Sequence, residues 1–83
     1  MKQVIEALYS PCHGKVEEVY VKLGAYVYEW EKLFVIRTTE QIEEVSIGIS
    51  GKISKLNIQK GDIVNPDMIL AELEDDFVIS GSD

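Results

Sequence analysis

Apolar and polar positions alternate in short bursts along the chain, and the bursts come in the same order twice. The first set is Val16, Val19 and Val21, then Gly24, then Tyr26–Val27, a polar stretch from Tyr28 to Lys32, and the strand Leu33–Arg37. The second is Ile53, Leu56 and Ile58, then Gly61, then Ile63–Val64, the polar Asn65-Pro66-Asp67, and the strand Met68–Leu73. An offset of 37 residues, the separation of Gly14 from Gly51, puts glycine on glycine and apolar residue on apolar residue throughout. β-Branched residues in short runs punctuated by glycine predict strands and turns, with no segment long enough for a sustained helix. The one break in strict alternation, between Val16 and Val19, predicts a bulge or a change of facing sheet. Gly24 and Gly61 fall where a turn needs positive φ, and Pro66 excludes a central strand at its position.

One such unit alone would leave its apolar face in water, whereas two facing each other bury a common core. The expected fold is therefore all-β: a flattened barrel or sandwich of two small antiparallel sheets with internal two-fold pseudo-symmetry. Residues 1–74 form a single domain, with repeats at about 10–36 and 47–73. Thr38-Thr39-Glu40-Gln41, polar between apolar strands, is expected to be an exposed hairpin tip on the symmetry axis. Tyr26 is expected in the core, because its repeat partner is Ile63. The acidic, then small and polar, tail 75–83 is expected to fray; its Phe77, Val78 and Ile79 either dock on the body or form an apolar end.

Composition narrows the function. An 83-residue chain holds one domain with little volume for a deep substrate pocket. Its net charge of −7, from 15 acidic and 8 basic residues, opposes binding to nucleic acid or anionic membranes. The longest apolar run, Leu33–Ile36, is far shorter than a membrane span, and the start lacks the apolar core of a signal peptide, so a cytoplasmic protein is expected. Cys12 is the single cysteine, which excludes an intramolecular disulfide.

Taken together, the motifs resemble those of the biotinyl/lipoyl carrier domains, the barrel-sandwich hybrids, from about Tyr9 to Glu74. Ser10-Pro11-Cys12-His13-Gly14-Lys15-Val16 is similar to the family's opening Pro-x-x-Gly-x-Val. Val21-Lys22-Leu23-Gly24-Ala25-Tyr26-Val27 is similar to its Val-x-x-Gly-Asp-x-Val, with Ala25 in place of Asp. Ser50-Gly51-Lys52-Ile53 resembles its Asp-Gly-Val-Val, and Ile58-Gln59-Lys60-Gly61-Asp62-Ile63-Val64 keeps the second Gly-Asp-x-Val intact. The resemblance implies a cofactor-bearing lysine at the tip between the copies. Counted from Gly51 and Ile36, that slot falls on Glu40, whose carboxylate cannot form the amide. Along the chain the nearest lysines are Lys32 and Lys52.

The remaining candidates are weaker. Cys12-His13 supplies two adjacent soft ligands, too few for a tetrahedral metal site, and Cys12 has no oriented base to make it a nucleophile. Glu40, Glu43 and Glu44 either solvate the tip or offer an acidic face to a basic partner. Tyr28 and Trp30 either cap one barrel end or anchor a partner. The resemblance and the missing amine imply a non-enzymatic, carrier-like interaction module without cofactor or metal. Its contact residues would be Thr39, Glu40, Gln41, Tyr28 and Trp30, and its partner a protein such as an enzyme that handles carrier domains. The alternative is a working biotin or lipoate carrier of a carboxylase or acyl-transfer complex, modified at a non-standard lysine.

Overall fold

The computed structural model describes residues 4–75. Among them are eight strands: β1 (Val4–Tyr9), β2 (Gly14–Val19), β3 (Tyr26–Val27), β4 (Lys32–Arg37), β5 (Ile42–Ser46), β6 (Gly51–Leu56), β7 (Ile63–Val64) and β8 (Ile69–Asp75). They form two four-stranded antiparallel sheets, ordered β1-β8-β6-β3 and β5-β4-β2-β7. The expected class holds: an all-β barrel-sandwich of two facing sheets.

The repeat is written into the hydrogen bonds. Val16 N–H donates to Asp62 O at 2.8 Å, and its counterpart Ile53 N–H donates to Ala25 O at 2.8 Å. Gly24 to Ile53 and Gly61 to Val16 form a second such pair, each at 2.9 Å. Tyr20 to Leu33 and Asn57 to Leu70 form a third, again at 2.9 Å each. The symmetry has a twist: β3 of the first copy pairs with β6 of the second, and β7 of the second with β2 of the first. Each sheet therefore contains strands from both copies.

The predicted bulge is present in both copies, between Val16 and Glu18 in β2 and between Ile53 and Lys55 in β6. It resets the alternation so that Val16 and Ile53 stay in the core. Gly24 and Gly61 have φ of 87° and 97°, the left-handed turn conformation. The core centres on Phe34, Leu33, Ile36, Ile53, Leu70 and Leu73, with Val16, Val27 and Val64 fully buried beside them. Leu33–Ile36 is buried on both faces, which explains its unbroken apolar run.

Three expectations are corrected. Tyr26 is not in the core: it is 45% exposed, as its counterpart Ile63 is 60% exposed, while Val27 and Val64 turn inward. A two-residue strand buries only one of its side chains, and the smaller valine takes the inside. The tip is also not on the symmetry axis. The pair Arg37↔Ile42 at the tip corresponds to Glu74↔Ile5, so the axis exchanges the tip with the place where β1 begins and β8 ends. The last strand runs further than expected, and Asp75 belongs to it, paired with Val4 and Gly51. The remainder of the acidic tail, with Phe77, Val78 and Ile79, lies outside the described residues.

Candidate functional site at the hairpin pole

The four residues between β4 and β5 close a tight hairpin, and its first residue, Thr38, ties it together. Thr38 N–H and Oγ1 both donate to the Gln41 carbonyl, at 2.8 and 3.0 Å. The same Oγ1 accepts from the Glu40 and Gln41 N–H groups at 3.1 and 2.9 Å. Threonine is suited to this, since a β-hydroxyl reaches the N–H groups two and three residues on. The Gln41 side-chain amide donates to the Glu43 carboxylate. Thr39, Glu40 and Gln41 are thereby presented to solvent on a fixed bend.

Beside the hairpin lies the loop Ser10–His13. Ser10 is the buried polar residue that holds it. Its Oγ donates to the Cys12 carbonyl at 2.7 Å, and its N–H donates to Met68 O at 3.0 Å. Cys12 is only partly exposed; burial, and then the negative charge of Glu43, push its thiol above the usual range. Where loop and hairpin meet, a shallow groove of about 260 Å³ is lined by His13, Gly14, Lys15, Arg37, Thr38, Thr39 and Ile63. The groove forms where β2 lies directly against β4, with Lys15 opposite Arg37.

That register also corrects the placement of the amines. Lys32 and Lys52 are the nearest lysines along the chain, but Lys15 lines the groove at the foot of the hairpin. It stands on a strand, not on the bend. Arg37 is held by Glu17, the residue of the β2 bulge, with Nε donating to Oε1 at 2.9 Å. This bond holds the Glu17 carboxyl below, and the Arg37 guanidinium above, their ordinary values.

Tyr28 and Trp30 are not part of this pole. They follow β3 and precede β4, so the length of β4, roughly 17 Å at ~3.3 Å per residue, separates them from the tip. Tyr28 is 67% and Trp30 70% exposed. Trp30 has φ of 63°, a left-handed conformation that costs a bulky residue on the order of 1 kcal/mol. Its N–H donates to Ile47 O at 2.8 Å, and its ring lies over Gly48. Tyr28 meets Tyr26 edge to face, with ring centroids 5.0 Å apart. Among the described residues no three His, Cys, Asp or Glu side chains converge to hold a metal, and no helix is long and apolar enough to cross a membrane.

Two facing sheets that share strands between duplicated halves, with one rigid hairpin projected at a pole, define a carrier-type scaffold. The family model described as "Biotin-requiring enzyme" matches residues 6–73, and the chain belongs to that family. It is 34% identical over 62 residues to the dihydrolipoyllysine-residue acetyltransferase component of the pyruvate dehydrogenase complex of Mycoplasma capricolum. It is 34% identical over 67 residues to the mitochondrial propionyl-CoA carboxylase alpha chain of Sus scrofa. The matches take in 75% and 81% of this chain but only 14% and 9% of those proteins. The solution structure of the lipoyl domain of the 2-oxoglutarate dehydrogenase complex from Azotobacter vinelandii superposes with a TM-score of 0.65 at 23% identity. That match covers 88% of this chain and 95% of the domain, and it shows the shared fold.

Proposed function

We propose that this domain is a carrier fold that works without a cofactor, as a non-enzymatic module bound by a protein partner. The observation that carries this reading is the composition of the bend. Residues 38–41 are Thr, Thr, Glu and Gln, held rigid by Thr38, and none offers an amine. Attachment of biotin or lipoate needs an amine presented where a ligase can reach it, and Glu40 presents a carboxylate instead. The relatives' names, an acetyltransferase component and a carboxylase chain, suggest the kind of partner: an enzyme whose surface receives carrier domains. Thr39, Glu40 and Gln41 would meet it at one pole, and Tyr28 and Trp30 offer a second contact at the other.

A second reading has one specific observation in its favour. Lys15 lines the groove at the foot of the hairpin, so a carrier modified at a non-standard lysine would use this amine. Co-expression with biotin and lipoate ligases, followed by intact-mass measurement and peptide mapping, separates the two. The unmodified mass is expected; a biotinyl or lipoyl group mapped to Lys15 would establish the second reading instead. In the same assay Glu40→Lys restores an amine to the bend and is expected to be modified.

A further inference from the structure

We infer that the Trp30 indole is a stacking platform for an arginine side chain of the partner protein, which gives chemical content to the second contact of the interaction reading and rests on it. Trp30 is the single tryptophan of the chain. Gly48 lies beneath it so closely that a Cβ there would come within 2.8 Å of the ring. The outer rim of the indole, at Cη2 and Cζ2, therefore packs against the Gly48 backbone while the residue remains 70% exposed. The turn that presents it is braced on both sides. Glu31 N–H donates to Tyr28 O at 3.0 Å, and Tyr28 N–H donates to Glu31 Oε1 at 2.8 Å. The repeat counterpart of Trp30 is Asp67, and among the described non-glycine residues Trp30 alone takes positive φ. The first copy thus holds its turn in an uncommon conformation where the second does not, and the result is a displayed ring.

The surrounding charge selects the ligand. Glu29 and Glu31 precede and follow Trp30 in the chain and are both exposed. Lys32 is turned away from it: its Nζ lies 3.2 Å from Glu44 Oε2 and 5.7 Å from the centre of the Tyr20 ring. An exposed indole with an acidic residue on either side of it in the chain favours a cation. A guanidinium fits better than an ammonium, since it is planar, stacks flat and sheds water more readily.

The test is a titration at low ionic strength with a capped hexapeptide of alternating arginine and glycine, its affinity measured by isothermal titration calorimetry in every variant and its contact with the ring read on the Trp30 indole resonance and fluorescence of the wild type. A saturable shift is expected with the arginine peptide and none with its neutral citrulline analogue. Trp30→Asn is expected to fold, because asparagine accepts left-handed φ, and to weaken binding by at least roughly threefold, the size of an exposed cation–π contact. Glu29→Gln with Glu31→Gln keeps the ring and is expected to weaken it as well. Equal affinity in Trp30→Asn would mean diffuse charge attraction and would overturn the proposal. So would absence of any indole shift, or a stronger shift with a hexaproline peptide, which would mark an apolar platform. The mass of the chain is independent of this titration, so the platform can fail while the unmodified-module reading stands.

Discussion

Gly14 and Gly51 mark the points where each copy's second strand passes under a neighbouring backbone. A Cβ at Gly51 would press into the Glu74 carbonyl, and one at Gly14 into that of Arg37. Neither backbone can yield without breaking a strand pair, so Gly51→Ala is expected to cost about 3 kcal/mol in urea denaturation, the upper range for overpacking. At Gly48 the obstruction is only the Trp30 ring, a movable side chain, so Gly48→Ala is expected to change Trp30 fluorescence far more than stability. Cys12 offers a second residue-scale test. Glu43 raises its thiol pKa by charge, so Glu43→Gln removes a negative charge, favours the thiolate and should speed alkylation by iodoacetamide at pH 8. Unchanged or slower alkylation would contradict that assignment.

Strands differ in how plainly their residues declare them. Leu33–Ile36 reads as a buried strand because all four residues are inside, and Phe34→Ala there is expected to cost ~3–5 kcal/mol. The duplicated glycines, the bulges and the hairpin were legible for a related reason: each imposes a residue type twice, at one spacing. β1 and β5 were not singled out from their own residues. In β5 only Val45 is buried, between Glu44 and Ser46, so no alternation marks the strand. Tyr26 was misplaced because matching it to Ile63 shows that the two share an environment, not which environment. Exposure of both had to come from β3 and β7, each only two residues long. The groove at the tip was invisible because Lys15 and Arg37 meet only through the β2–β4 register. The bulge adds a pH-dependent tie between those strands. Because the Glu17 carboxyl is lowered in the folded chain, its pairing with Arg37 stabilises above the ordinary value of 4.5 and is lost as pH falls through the depressed one. The stability difference between wild type and Glu17→Gln should therefore be present at neutral pH and vanish in acid.

The molecule as a whole is held together by exchange between its halves. Since β3 pairs with β6 and β7 with β2, neither copy can complete a sheet alone. Residues 1–40 by themselves are expected to show no cooperative unfolding transition by circular dichroism. A folded half would contradict this view of the core. The same exchange places the hairpin at one pole and the Trp30 turn towards the other, so a partner engaging both would have to span the length of β4. The scaffold is that of the carrier family, and the proposed reading rests on the bend, where Glu40 would take the position that the resemblance implies for an amine.

The mass of the chain recovered from the cells that make it tests that point most directly. The bare polypeptide mass is predicted, whatever biotin or lipoate the cells contain. A biotinyl or lipoyl addition on any lysine would show that the domain is a carrier after all.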